Sequence, residues 1–232
     1  MTDFCRKGYV NLITCLKGLN YNFVTFNDFS SQDKQIILRH DVDFSLDDAL
    51  KMARAESTVN ISSTYFFLLG SEFYNLFSTV GKSTLMSITG LGHKIGLHFD
   101  ASIYDESCMP SKILYERKIL QDQAETPVKI FSFHRGASSH LGAENGYFGM
   151  DCVYDKKFFR DIGYCSDSEG RWRYHHPLMH PCVQEKKSLQ LLIHPIWWSS
   201  EITVSPSERL ISLHHERSSN GLAHIRANTK VI

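Results

Sequence analysis

Four short apolar runs of this chain end in histidine, and this regularity limits the folds that the chain can adopt. In order they are Ile36-Ile37-Leu38-Arg39-His40-Asp41-Val42-Asp43, Gly96-Leu97-His98-Phe99-Asp100, Phe133-His134-Arg135-Gly136 and Leu192-Ile193-His194-Pro195. Short apolar runs between polar residues are typical of buried strands, and Ser45-x-x-Asp48 after the first run predicts a helix start. The carboxyl ends of parallel strands lie along one edge of a sheet. The pattern therefore predicts an α/β fold with its polar side chains gathered at that edge.

Strand and helix patterns alternate along the chain. The predicted strands are residues 35–39, 62–69, 94–98, 128–133, 164–166 and 189–193. The predicted helices are residues 9–19, 45–57, 83–90, 110–125, 155–162 and 205–217. We therefore expect a single domain over 1–232, with a mostly parallel sheet or barrel, polar loops at 136–147 and 169–183, and a frayed end after Gly221.

Composition excludes several classes of protein. Lys and Arg balance Asp and Glu at 25 each, so nothing favours a nucleic-acid partner. The six cysteines form no C-x-x-C pair, which gives no support to a cysteine zinc knuckle and favours a reduced compartment. No apolar run approaches a membrane span, and the first ten residues lack a signal pattern. We therefore expect a cytoplasmic protein without a membrane span.

The strand ends carry the chemistry. If the sheet is parallel, Asp41, Asp43, His98, His134 and His194 emerge at one edge, and Asp and His together suit a divalent metal such as zinc. Asp41 and Asp43 are two residues apart, so both point to one face of an extended chain. One could then bind the metal while the other takes a proton from water. The structural alternatives are that Asp43 caps the next helix, that Asp41 binds backbone amides and that the histidines are ordinary core residues.

Five short motifs in this order resemble those of a known family. They are Arg39-His40-Asp41-Val42-Asp43, Gly92-His93-Lys94-Ile95-Gly96-Leu97-His98, Phe133-His134-Arg135-Gly136, residues 167–172 and Leu192-Ile193-His194. They resemble the motifs of NodB-like polysaccharide deacetylases, carbohydrate esterase family four, over about residues 35–198. The resemblance implies a distorted (β/α)7 barrel, usually incomplete. It also implies a divalent metal, commonly zinc, and removal of an N-acetyl group from an amino sugar.

The resemblance also implies a role for each matching residue. Asp41 is the expected general base, Asp43 the metal aspartate, His98 the first metal histidine, Arg135 the partner of the base, Asp167 the residue that orients the acid, and His194 the general acid. The expected substrate-binding aromatic residues are Trp172 and Trp197, as an apolar wall around the acyl methyl group, and Tyr147, stacked on a sugar ring.

Two departures from the family pattern affect the metal site. Val42 separates two aspartates that are usually adjacent, and Ser102 stands where the second histidine ligand is expected. His134, at the neighbouring strand end, is the preferred substitute ligand. Asp100 is a second candidate ligand. A further alternative is that the site binds no catalytic metal.

These observations predict a metal-dependent hydrolase that removes an N-acyl group from an amino sugar or glycan precursor through a water activated by the metal. Because no leader is visible, the expected substrate is a nucleotide- or lipid-linked sugar. The alternatives are a metal-free amidase of the same fold, a degenerate glycan-binding domain and, less favoured, a glycosyltransferase that uses Asp41-Val42-Asp43. A glycosyltransferase would have no need for histidines converging at the strand ends.

Overall fold

The computed structural model describes residues 4–135, 149–173 and 175–229, and within them eight strands form one sheet. The strands are β1 (Asn22–Val24), β2 (Gln35–Val42), β3 (Thr64–Phe67), β4 (Lys94–Asp100), β5 (Ile130–His134), β6 (Asp151–Cys152), β7 (Gly163–Ser166) and β8 (Leu189–Ile193). Their order is β6-β5-β4-β3-β2-β8-β7, with β1 beside the start of β2. All of these strand pairs are parallel. The carboxyl ends of the strands therefore share one edge.

Helices cover the sheet and connect its strands. They are α1 (Arg6–Gly18), α2 (Leu46–Thr58), α3 (Thr79–Gly90), α4 (Met109–Ala124), α5 (Lys156–Phe159), α6 (Pro181–Gln184), α7 (Pro195–Trp198) and α8 (Pro206–Asn228). Ser45 caps α2 by accepting from the Asp48 N–H at 3.1 Å, as the sequence predicted. None of the helices in the described ranges is long and apolar enough to cross a membrane.

The sheet curls until its two end strands approach each other. In the described residues no hydrogen-bonded ladder joins β6 to β7, but the Phe159 ring lies 5.5 Å from Tyr154 and 4.9 Å from Tyr164. Gln190 of β8 also reaches across and donates to the Phe158 carbonyl at 2.7 Å. Side chains thus close the gap that a strand pair would close in a complete barrel. The predicted α/β class with a distorted, incomplete (β/α)7 barrel is confirmed.

Strand β2 lies at the centre of this arrangement and is buried at all eight positions. On one side of the strand His40 faces a buried carboxylate, Glu56 of α2, with His40 Nε2 and Glu56 Oε1 2.5 Å apart. The same carboxylate accepts from the hydroxyls of Tyr9, Ser63 and Tyr65. Burial alone would raise the pKa of Glu56, but His40, then His93 and the Ser63 hydroxyl, lower it to about 2. This polar cluster holds β2 against the helices on the side of the strand that faces α2.

Several elements differ from the predictions, and three differences bear on the strands and on the end of the chain. Strand β2 continues through Val42 because Arg39 to Val42 pair with β3, so Asp41 lies inside the strand and not after it. The short strands β1 and β6 were missed, since two or three residues carry too little periodicity to identify a strand. The predicted frayed end after Gly221 is wrong, because α8 continues to Asn228.

Candidate metal centre and catalytic site

Three side chains from three neighbouring parts of the sheet meet at its carboxyl edge. Asp43 follows β2, His98 lies in β4 and His134 ends β5. The His98 Nε2 atom lies 3.2 Å from Asp43 Oδ1 and 3.2 Å from His134 Nδ1. The His134 Nδ1 atom lies 3.5 Å from Asp43 Oδ1. The three potential ligand atoms therefore form a nearly equilateral triangle.

This triangle has the dimensions of a metal site. Nitrogen and oxygen ligands lie about 2.0–2.2 Å from zinc, so two of them on a tetrahedral ion are separated by about 3.3 Å. Within the described residues, the buried Asp43 Oδ1 atom makes no hydrogen bond of standard geometry, which is expected of an atom whose partner is a cation. Burial would raise the pKa of Asp43, but the close approach of the His134 and His98 imidazoles holds it well below its usual value. The group of Asp43, His98 and His134 could therefore bind a metal.

A serine on the adjacent strand fixes the orientation of one ligand. His98 Nδ1 lies 2.7 Å from Ser132 Oγ, because Ser132 of β5 is the register partner of His98. If a metal binds Nε2, the ring proton must be on Nδ1, and it is then donated to Ser132. A second hydrogen bond of this kind typically fixes the tautomer of a metal-binding histidine.

The positions of His134 and Asp100 differ with respect to Asp43 and His98, where Ser102 leaves the third ligand open. His134 follows Ser132 by two residues on β5, so its side chain points to the same face of the sheet and meets His98. Asp100 Oδ1 instead accepts from the Ser102 N–H at 2.9 Å and from its hydroxyl at 2.6 Å. Asp100 thus caps the turn that follows β4 and does not belong to the group.

The proposed base, Asp41, is held by an arginine that the sequence analysis did not assign. Arg39 Nε donates to Asp41 Oδ1 at 2.8 Å and Arg39 Nη2 donates to Oδ2 at 2.6 Å. Both side chains are buried. Burial would raise the pKa of Asp41, but Arg39 and then His98 bring it below its usual value. The expected pairing with Arg135 is not found in the described contacts. Arg135 is exposed, and its φ of 56° directs the chain into a turn.

Arg39 is itself held by hydrogen bonds to β8 and to the segment after β6. Its Nη1 atom donates to Gln190 Oε1 at 3.3 Å, and its Nη2 atom donates to the Tyr154 hydroxyl at 3.1 Å. The guanidinium carbon also lies 5.5 Å from the centre of the Phe66 ring. The Asp41 carboxylate therefore rests on a rigid support.

The proposed acid, His194, is held by Asp167 as the sequence predicted. His194 Nδ1 lies 2.6 Å from Asp167 Oδ1, and the His194 backbone N–H is 3.0 Å from both carboxylate oxygens. The indole N–H of Trp198 donates to Asp167 Oδ2 at 2.6 Å. Burial would lower the pKa of His194, but the Asp167 charge and hydrogen bond outweigh it and raise the pKa to about 9. The imidazole is therefore protonated at neutral pH.

Asp41 and His194 both lie next to the group of Asp43, His98 and His134. Asp41 Oδ2 is 3.8 Å from His98 Nε2, and His194 Nε2 is 3.9 Å from Asp43 Oδ2. A carboxylate that can accept a proton and an imidazolium that can give one thus lie beside the same candidate metal site. This arrangement can perform general acid–base chemistry on a group bound there.

A cavity of about 680 Å³ opens over these residues. Trp197 lines it, as predicted, together with Tyr154 and Tyr164. Trp172 does not belong to the described lining; its ring is partly buried and lies 5.8 Å from the ring of Trp198. The prediction that Trp172 forms a wall of the site is therefore not supported by its position. Tyr147 lies outside the described residues.

The groups that sequence reasoning missed were Arg39, Ser132, Tyr154 and Trp198. Arg39 precedes Asp41 by two residues on a strand, so the alternation of side chains gave a readable signal. Trp198 follows His194 by four residues, but α7 had not been predicted. Ser132 and Tyr154 carry no signal in one sequence, because their roles depend on which strands become neighbours.

Comparisons with known proteins find likeness in structure alone. No protein-family model and no curated protein matches the chain. A family 4 carbohydrate esterase from Bacillus anthracis is 13% identical, with 91% of this chain and 86% of that chain covered and a TM-score of 0.45. The peptidoglycan deacetylase PdaC from Bacillus subtilis is 12% identical, with 84% and 98% covered and a TM-score of 0.47. BA3943 from Bacillus anthracis, described as a CE4 family pseudoenzyme, is 12% identical, with 85% and 68% covered and a TM-score of 0.40.

Two of these three are described as members of carbohydrate esterase family four, the family that the five sequence motifs resemble. The identities and TM-scores are low, and one of the similar proteins is described as a pseudoenzyme. The likeness therefore carries no information about the reaction of this chain.

Proposed function

We propose that this protein is a metal-dependent hydrolase that removes an N-acyl group, most simply acetyl, from an amino sugar or glycan precursor. One observation carries the proposal: a metal-sized triangle of Asp43, His98 and His134 lies next to a buried carboxylate, Asp41, and a protonated imidazole, His194. Amide hydrolysis needs a proton acceptor for water and a proton donor for the departing amine. A binding domain would have no evident use for both.

Asp43, His98 and His134 would hold the metal, which we propose to be zinc because the ligand set is one aspartate and two histidines. A bound zinc ion would supply Lewis-acid chemistry, polarising the acyl oxygen and lowering the pKa of water. Three protein ligands would leave the ion open to a reactant, as in catalytic zinc sites. Ser132 would keep the His98 ring in place for this purpose.

Asp41 would accept the proton of the attacking water. Its low pKa keeps the carboxylate ionised at neutral pH, and Arg39 keeps both of its oxygens in a fixed direction. A base that is already correctly oriented loses little conformational entropy on reaching the transition state. Arg39 takes the positioning role that the sequence analysis gave to Arg135.

His194 would give a proton to the amine as the C–N bond breaks. Asp167 binds Nδ1 of the ring, which leaves Nε2 to face the cavity near Asp43. The raised pKa of His194 favours the protonated ring that this role needs. Trp197, which lines the same cavity, would exclude water from the acyl methyl group.

The substrate would be an acylated amino sugar carried on a nucleotide or a lipid, in a cytoplasmic setting. This part of the proposal rests on the sequence analysis. A cavity of about 680 Å³ falls within the usual size of small-molecule sites, about 300–1,000 Å³. A glycosyltransferase is less well supported, because it would have no need for the imidazoles of His98, His134 and His194 to converge beside Asp43.

Metal content measured by elemental mass spectrometry tests the proposal, alongside acetate release from N-acetylated amino sugars. We expect about one zinc per chain in the wild type and its loss in both His98→Ala and His134→Ala. His224→Ala is the matched control, because His224 is exposed on α8. A wild type that takes up no metal after reloading, or that releases no acetate from any acylated amino sugar, would refute the proposed function.

A further inference from the structure

The hydroxyl of Tyr154 has no assigned role in the proposed reaction, although it lies in the same cavity. Tyr154 follows β6 and lines the cavity with Asp41 and His194. Its side chain is partly exposed. Its oxygen and Asp41 Oδ2 both bind the same nitrogen, Arg39 Nη2, at 3.1 and 2.6 Å. The hydroxyl is therefore a direct neighbour of the proposed base.

Hydrogen-bond chemistry fixes the direction of this hydroxyl. A guanidinium group has donors and no acceptor, so the Tyr154 oxygen must accept from Arg39. The hydroxyl hydrogen must then point elsewhere, and the described part of the chain offers no acceptor within hydrogen-bond distance. Burial raises the pKa of Tyr154, and Arg39 offsets only part of the increase. The group therefore remains a donor at neutral pH.

The Tyr154 ring is not free to redirect this donor. Its edge packs against Phe159, with ring centres 5.5 Å apart, and Arg39 lies 5.0 Å from the centre of the Tyr154 ring. Arg39 is itself held by Asp41 and Gln190. A donor held in this way, with no acceptor among the described residues, is suited to recognise an acceptor on a ligand.

We propose that Tyr154 is a substrate-binding residue that donates a hydrogen bond to a sugar hydroxyl oxygen of the substrate. This inference rests on the proposed function, since it takes an acylated amino sugar as the ligand. The position beside Asp41 places the contact next to the reacting amide. The proposal thus defines the substrate further, as one that presents a hydroxyl oxygen close to its acylamino group.

The test combines one variant with a panel of substrates. Zinc-loaded wild type and Tyr154→Phe are compared on methyl N-acetylglucosaminide and on its monodeoxy analogues, in which each hydroxyl is removed in turn. Loss of a neutral hydrogen bond reduces kcat/KM about three- to tenfold. We expect Tyr154→Phe to show this loss, relative to the wild type, on the parent glycoside. On the analogue that lacks the hydroxyl contacted by Tyr154, the variant and the wild type should have equal kcat/KM. Tyr115→Phe on α4, where Tyr115 is 61% exposed, controls for the substitution itself.

Affinity for the same glycosides, measured by calorimetry, separates this inference from the proposed function. If the wild type binds the glycoside without releasing acetate, the hydrolase is refuted and the Tyr154 contact is judged from affinities alone. The inference is overturned if Tyr154→Phe behaves as the wild type, if it loses the same factor on every analogue, or if the wild type binds none of the glycosides. An equal loss on every analogue would mean that Tyr154 only supports Arg39.

Discussion

Replacing Arg39 by methionine should destabilise the protein in a way that depends on pH. The substitution keeps a long side chain but removes the donors to Asp41 Oδ1 and Oδ2. Because the Asp41 side chain is only 5% exposed, water cannot replace those donors. Breaking a buried ion pair from one side costs about 3–5 kcal/mol of unfolding free energy. That is a large share of the total for a domain, about 5–15 kcal/mol.

The sign of the pH dependence follows from the pKa of Asp41. In the wild type this pKa is below its usual value, so the ionised carboxylate stabilises the fold above the unfolded pKa, and the contribution fades as the pH falls through the folded pKa. Without Arg39, burial dominates and the pKa of Asp41 should rise. The ionised group then destabilises the fold at neutral pH, and acidification relieves it. The free-energy difference between wild type and Arg39→Met should therefore shrink as the pH falls.

Urea unfolding with a chelator present, at neutral and at mildly acidic pH, measures this difference. Arg39→Lys retains a charge and should lose less stability than Arg39→Met. The double variant Arg39→Met/Asp41→Asn should regain part of the loss, because no buried charge remains unpaired. A loss for Arg39→Met that is equal at both pH values, and unchanged by Asp41→Asn, would refute this account of the pair.

Three further predictions concern groups around the site. Ser132→Ala removes the hydrogen-bond partner of His98 Nδ1, so it should weaken zinc binding about 10- to 100-fold with little change in unfolding free energy. Chelator competition measures the zinc affinity, and an unchanged affinity would count against Ser132 as the residue that orients His98. Asp167→Asn should lower the pKa of His194 from about 9. The alkaline limb of the plot of kcat/KM against pH should then move to lower pH, and a limb that does not move would exclude His194 as the general acid. Glu56→Gln should cost about 3 kcal/mol at neutral pH, since the pKa of Glu56 falls from 4.5 to about 2 on folding. That loss should disappear between these two pH values in acid unfolding.

The assembly of the site could be predicted from the sequence because strand ends meet in a parallel sheet. Asp43, His98 and His134 follow separate apolar runs, and β2, β3, β4 and β5 are consecutive neighbours. Once the runs are identified as parallel strands, their terminal side chains have to emerge at the same edge. The choice of His134 over Asp100 could also be reached this way, since the first lies at the end of the adjacent strand and the second begins a turn.

Pairings of particular side chains could not be predicted with the same success. Arg135 was assigned to Asp41 on a motif match, but the arginine that binds Asp41 in the described residues is Arg39. Trp172 and Trp197 were treated as equivalent, but only Trp197 lines the cavity among the described residues. Such choices depend on loop conformation and on rotamers, which the hydrophobic pattern does not encode.

Helix signals were also only partly informative. The Ser45-x-x-Asp48 pattern located the start of α2, but the Asp48 carboxylate does not act in a reciprocal cap. It accepts from Arg209 Nη2 at 2.9 and 2.7 Å and from the Ser199 hydroxyl at 2.7 Å. Arg209 belongs to α8, so the Asp48 side chain, which looked like part of a local helix cap, forms a long-range ion pair instead. A single sequence does not reveal a partner more than 150 residues away.

The two faces of β2 explain why the candidate site is held in one register. Arg39 and Asp41 point toward the cavity, whereas His40 between them points to Glu56 on the helix side. A slip by one residue would reverse every side chain of the strand, placing two charged groups against the helices and the imidazole in the cavity. Each of these groups would lose its buried partner at a cost of several kcal/mol. Glu56 lies outside the cavity, but by holding His40 it helps to determine where Asp41 and Asp43 are placed.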